Sequence, residues 1–189
     1  MKFSKPVKLS DGRYFSKITT DEDQPSYLQL NNVTLVTPFS EGDSVVAKLP
    51  EDAINKLTSI DDMIVEKAIE NSTDWFGKML TEKSLRTTFV SSFRDDTMDV
   101  TKNTRKGQME VKCYTSSKEE LDPNELDVDT VCSVILQMCG IWFMKKSYGI
   151  SWRLLQVKTK RTPRKVTPQY MFEDEEDEEE EEEDYEDYA

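Results

Sequence analysis

Histidine is absent from this 189-residue chain, so the side chain most often used as a general acid or base near neutral pH is missing, and with it the commonest transition-metal ligand. No Ser-His or Cys-His pair can exist. Cysteine is scarce: Cys113, Cys132 and Cys139 are odd in number and spaced unlike a zinc ribbon. They read as reduced, buried thiols of an intracellular protein rather than a closed disulfide framework. No G-x-x-x-x-G-K-[ST] or G-x-G-x-x-G phosphate loop is present. The acidic pairs Asp61-Asp62 and Asp95-Asp96 read as solvated surface rather than cation ligands. No uninterrupted apolar run reaches the roughly 18 residues of a membrane span, and MKFSKPVKLSDGR has the basic residues but not the apolar stretch of a secretory signal. The expectation is a soluble, intracellular binding protein, not an enzyme, with no metal, no cofactor and no membrane contact.

Charge is unevenly distributed. The formal net charge is −13, but 14 of the 38 acidic residues lie between Glu173 and Asp187. The remaining 24 face 25 basic residues, so the body is near neutral and the acidity belongs to the end of the chain. From Gly140 to Phe172 there is no acidic residue, while Lys145, Lys146, Arg153, Lys158, Lys160, Arg161, Arg164 and Lys165 add eight positive charges. The strongest positive field therefore sits directly before the strongest negative one.

Apolar periodicity divides the chain. Arg13–Thr19, Tyr27–Leu30, Val33–Thr37 and Ser44–Leu49 alternate at period two and predict strands, with Asn31-Asn32 and Glu41-Gly42-Asp43 as turns. Pro50 opens a short helix, Glu51–Leu57. Ile60, Ile64 and Ala68 fall four apart, predicting further helices over about 60–70 and 73–80 with Ser59 and Ser72 at their starts. A strand is expected near Thr88–Phe93, and RDDTMDVTKNTRKGQ reads as a mobile polar loop before the strand Met109–Tyr114. SSKEELDPNELDVD reads as an acidic loop. Val131–Met144 and Ile150–Thr159 then form a hairpin across KKSYG. With 36% hydrophobic residues, this is one domain with a tail.

The hairpin carries the chemistry. Trp142, Phe143, Tyr148 and Trp152 interleave with Lys145, Lys146 and Arg153. Rings stack on bases of any identity while cations track phosphates, and single-stranded nucleic acid needs both. Period-two alternation places Ile150, Trp152 and Leu154 on one face and Ser151, Arg153 and Leu155 on the other. Trp142, Phe143 and Trp152 are thus candidates for the core as well as for stacking, and Tyr148, in the turn, is the foremost stacking candidate. The doublet Leu154-Leu155 breaks the alternation, as a bulge that switches faces would. Lys158, Lys160, Arg161, Arg164 and Lys165 form an electrostatic flank. The tail FEDEEDEEEEEEDYEDYA carries too much like charge to fold and is expected to be disordered.

IWFMKKSYGISWRLLQVK and VTLVTPFS resemble segments of single-stranded DNA-binding proteins of large double-stranded DNA viruses. That resemblance implies an oligonucleotide-binding (OB) barrel followed by an acidic, aromatic-containing tail. The expected architecture is a β-rich α+β domain over 1–160, with a partly open five-stranded barrel and inserted helices, then a basic linker over 161–172 and a disordered acidic tail over 173–189. The implied function is sequence-tolerant coating of single-stranded DNA in replication, recombination or repair, with RNA as the alternative ligand, self-association compatible, and host cytoplasm or nucleus as the compartment if the source is viral. Glu173, Asp174, Asp184, Tyr185, Asp187 and Tyr188 would compete with DNA and dock replication or recombination proteins. Two rivals stand beside it: an acidic-tailed chaperone or scaffold for basic proteins such as histones or virion core proteins, and a small transcription-machinery subunit.

Overall fold

The computed structural model describes residues 1–160; residues 161–189 lie outside the description. Short strands β1 (Lys2–Phe3) and β2 (Val7–Lys8) pair with β3 (Tyr14–Thr19), followed by β4 (Ser26–Leu35) and β5 (Ser44–Lys48). Helices α1 (Glu51–Glu70), α2 (Ser72–Phe76) and α3 (Glu82–Thr88) come next. The chain returns to strand in β6 (Phe89–Val90) and β7 (Thr97–Lys102), rises into a small hairpin, β8 (Thr104–Arg105) with β9 (Gln108–Met109), and continues through β10 (Lys112–Tyr114) and β11 (Glu120–Leu121). It ends in the long pair β12 (Val131–Phe143) and β13 (Tyr148–Thr159).

Pairing closes a ring. β4 pairs with β5, β5 with β7, β7 with β13, β13 with β12, and β12 with β4 again. In chain order the ring runs first, second, third, fifth, fourth, and the third–fifth contact is parallel, held at only two positions, Arg153↔Thr101 and Leu154↔Lys102. This is the partly open five-stranded Greek-key barrel expected from the sequence. Leu30, Val33, Leu35, Val45, Met98, Val100, Leu136 and Leu154 line its interior around a residual void of only about 10 Å³. The barrel is therefore a packed core, and ligands must bind outside it.

Three bulges keep the apolar residues pointing inward as the strands coil. In β13 the pairing jumps from Leu136↔Leu154 to Ile135↔Gln156, which leaves Leu155 as the extra residue; inward positions change from Ile150, Trp152 and Leu154 to Val157 and Thr159. The broken alternation at Leu154-Leu155 foretold this one. In β12, Cys139 is extra and the inward set shifts from Leu136 and Met138 to Ile141 and Phe143. In β4 the pairing jumps between Leu30 and Val33. Asn31-Asn32, expected as a turn, is that bulge, with Asn32 at φ 57°, a left-handed conformation that Asn tolerates better than most residues.

Two other expectations are corrected. The helices predicted at 51–57 and 60–70 are one continuous helix, because Ser59, expected as a cap, turns its hydroxyl back to the Asn55 carbonyl at 2.9 Å and the backbone continues. The supposed loop 94–108 contains β7, a central barrel strand with Met98, Val100 and Lys102 buried. Lys102 ends that inward row as a cation. Its ammonium donates to the carbonyls of Phe39, Glu41 and Gly42 at 2.6, 2.6 and 3.0 Å and lies over the Phe39 ring, pinning the loop between β4 and β5; burial lowers its pKa. No helix among the described residues is long and apolar enough to cross a membrane.

Candidate nucleic-acid interface

Parity decides what the hairpin presents outward. On the outer face of the sheet, Gln137 of β12 lies between Tyr27 of β4 and Arg153 of β13. The next outward row is Gln29, Ile135 and Gln156, and the one after it joins Ser133 to Lys158, whose other neighbour is Tyr114 of β10. A groove of about 300 Å³ follows these rows, lined by Gln29, Tyr114, Lys118, Ile135, Gln156 and Lys158, with no carboxylate in its lining. Tyr27 is 58% exposed and Tyr114 half-buried. Flat rings, amide side chains and cations thus share one open surface.

The predicted residues separate into groups. Arg153 and Lys158 are exposed on the outer face of β13, and Lys160 is exposed just beyond its end. Lys145 and Lys146 are exposed at the opposite end, in the turn that the Met144 N–H closes by donating to the Ser147 carbonyl at 2.8 Å. Twelve strand residues at roughly 3.3 Å each put up to about 40 Å between Lys146 and Lys158. Lys145 and Lys146 instead border a second groove, of about 750 Å³, with Tyr14, Asp74, Lys78 and the edges of Phe76 and Phe143. Arg161, Arg164, Lys165, Glu173, Asp174, Asp184, Tyr185, Asp187 and Tyr188 lie outside the described residues.

The aromatic assignments change most. Tyr148 is not a turn residue but the first residue of β13, fully buried, packed edge-on to Phe76 and Phe89 and stacked on Phe143. It has no face to offer a base. Its hydroxyl has no hydrogen-bond partner among the described residues, and burial pushes its pKa up to about 12. Phe143 is buried in the same cluster, against Trp75 and Phe76, so its candidacy for stacking is withdrawn as well. Trp152 is core: its indole N–H donates to Ser92 Oγ at 2.8 Å. Trp142 is half-buried and lies across Gly149, where a Cβ would meet its ring at 2.8 Å.

Asp61, read as surface from its sequence neighbour Asp62, is buried. It accepts from Ser91 Oγ, Ser92 N–H and Ser92 Oγ at 2.8, 2.9 and 2.6 Å, which ties α1 through Ser92 to Trp152 under β13. Burial raises its pKa against those donors. Tyr27, Tyr114 and Lys118 are the surface residues that sequence reasoning passed over. Tyr114 was legible, since Lys112-Cys113-Tyr114 alternates around a buried Cys113. Lys118 was not: its place depends on the turn between β10 and β11.

Residues 31–174 match the family described as a family of unknown function, DUF5871, over more than half of the chain. The chain belongs to that family. No curated protein matches. Among solved structures, the chain is similar to the single-stranded DNA-binding protein from bacteriophage Enc34 in complex with single-stranded DNA, at 16% identity and a TM-score of 0.46, covering 86% of this chain and 93% of that one. A further structure of the same phage protein gives 16% identity and a TM-score of 0.48 over 89% and 96%, and its C-terminal truncation gives 15% and 0.47 over 86% and 96%. The strand pairing of the DUF5871 chain itself defines its five-stranded barrel.

Proposed function

We propose that this DUF5871 protein is a non-catalytic, sequence-tolerant single-stranded DNA-binding protein, with the strand lying across the outer face of β4, β12 and β13. The observation that carries this reading is the groove in which Tyr114, Lys118 and Lys158 converge without a carboxylate, continuous with Arg153 and Tyr27. Tyr114 and Tyr27 supply ring faces, Lys118, Lys158 and Arg153 meet phosphates, and Gln29, Gln137 and Gln156 offer hydrogen bonds to base edges or sugars. The reading places the protein in replication, recombination or repair. The acidic tail competes with DNA for the cationic face and docks partner proteins when displaced. Service to a large double-stranded DNA virus is the origin that the aromatic, basic hairpin signature and the tail support.

The test is titration of the full-length protein with oligothymidylate, matched duplex and RNA of equal length. Single strands bind more tightly than duplex, and Tyr114→Ala weakens binding about tenfold, since one stacked base contributes roughly 1–3 kcal/mol. Lys158→Ala and Arg153→Ala each make the log–log salt dependence shallower by about 0.7, one phosphate contact apiece. Full affinity in all three folded variants would remove the strand from this face. Binding to histone-like proteins with no binding to oligothymidylate would favour the chaperone reading.

A further inference from the structure

We infer that the β8–β9 hairpin is a second phosphate-binding wall, which holds a single strand against the Arg153 side of the outer face. The inference rests on the nucleic-acid reading of that face and adds Arg105 and Lys106 to it. Both strands that flank the hairpin in sequence run parallel to β13: β7 meets it at Arg153 and Leu154, and β10 meets it from Gln156 to Lys158. Residues 104–110 project between these two contacts, opposite the bulged Leu155. The stem is fixed there, because the Asn103 N–H donates to the Leu154 carbonyl at 3.0 Å and the Glu110 N–H to the Asn103 carbonyl at 2.7 Å. The hairpin therefore springs from the stretch of β13 that separates Arg153 from Gln156 and Lys158.

Its tip is a tight turn that carries two adjacent cations. Arg105 pairs with Gln108 around Lys106-Gly107, whose φ angles of 52° and 79° are those of a tight two-residue turn matched to strand twist. Asn, Asp or Gly suits the first of these positions; Lys there carries a conformational cost with no contact in return. Residues 104–109 are all exposed, and none of the six is acidic. The neighbouring cation on β10, Lys112, is neutralised by Glu120 at 2.7 Å. Arg105 and Lys106 make no ion pair or side-chain hydrogen bond among the described residues. Two adjacent exposed cations on a tight turn, unused by the fold, are free to meet a polyanion, and the surface beside their stem is the one that carries Arg153.

The experiment is a set of oligothymidylate titrations of the full chain between about 50 and 200 mM salt. The variants are Arg105→Gln with Lys106→Asn, which keeps a turn-compatible residue, and Lys56→Gln with Lys83→Gln, which removes the same charge from α1 and α3. The hairpin variant is expected to show a slope shallower by about 1.4 and a roughly ten- to thirtyfold loss near 0.1 M, with the helix variant at wild-type slope. A wild-type slope and affinity in the hairpin variant overturn the inference while leaving the outer face intact. Equal losses in both variants overturn it as well, since net charge alone then explains them. Absence of binding by the wild-type chain defeats the underlying reading together with the inference.

Discussion

Tyr148 shows how a single side chain can mislead a sequence. Its neighbours Ser147 and Gly149 are turn formers, and only the closure of the turn at Met144–Ser147 moves it into the strand. Once there, it inherits an inward position and completes a ring cluster whose other members, Phe76 and Phe89, come from segments about 60 to 70 residues away. No local pattern encodes that meeting. A buried hydroxyl without a partner costs about 1–3 kcal/mol, whereas the ring itself fills volume that cannot collapse. Tyr148→Phe is therefore expected to raise stability by about 1 kcal/mol and Tyr148→Ala to lower it by about 3–5 kcal/mol, both read as shifts in the urea midpoint. A Phe variant less stable than wild type would mean that the hydroxyl is hydrogen-bonded after all. The cations behave differently: Arg153, Lys158, Lys145 and Lys146 were legible as exposed because a charge rarely goes inside without partners to satisfy it, as Lys102 has.

Among the elements, what the sequence revealed depended on contrast between the two faces of each strand. β12 and β13 were legible because each has many apolar residues, and the doublet at Leu154-Leu155 even located a bulge. β7 was hidden because its inward row has two apolar residues and then Lys102, a buried ammonium satisfied by three carbonyls of a loop about 60 residues earlier. The continuity of α1 was hidden by Ser59, whose type suits a cap and whose structure is mid-helix. Close approach of strands is equally invisible in one dimension. β12 changes partner at its bulge, from β4 on one side of Cys139 to β3 on the other, and Gly140 sits at that crossover with the Ser16 carbonyl and the Phe15 ring where a Cβ would stand. Because backbone blocks the way, Gly140→Ala cannot be absorbed by a side-chain shift. The expected cost is about 2–3 kcal/mol, seen as a lower melting temperature. Gly107→Ala, where nothing lies within 4 Å, pays only its positive φ and should cost less. Equal effects would show that the β3–β12 junction is looser than its geometry implies.

Over the whole molecule the deciding quantity is where the charge lies. The full chain is strongly anionic, yet residues 1–172 carry 25 basic and 24 acidic side chains, and Arg105, Lys106, Arg153 and Lys158 stand exposed along β13 and its flanking hairpin. Composition alone would mark the protein as hostile to nucleic acid; the proposed function rests on position instead. Under the proposed function the tail is a tethered competitor, so its strength depends on screening more than on any particular contact. Removing everything after Phe172 moves the formal charge from −13 to +1 with every basic residue retained. Affinity for oligothymidylate should then rise at about 50 mM salt, and the gain should shrink towards 200 mM as the Debye length shortens. Duplex binding should rise by the larger factor, because the weaker complex is the one the tail excludes more effectively. The Arg105→Gln, Lys106→Asn variant made in the truncated background should lose its affinity as it does in the full chain if the hairpin meets DNA. If truncation leaves both single-strand and duplex affinities unchanged at low salt, the tail does not screen the cationic face, and its function lies with partner proteins.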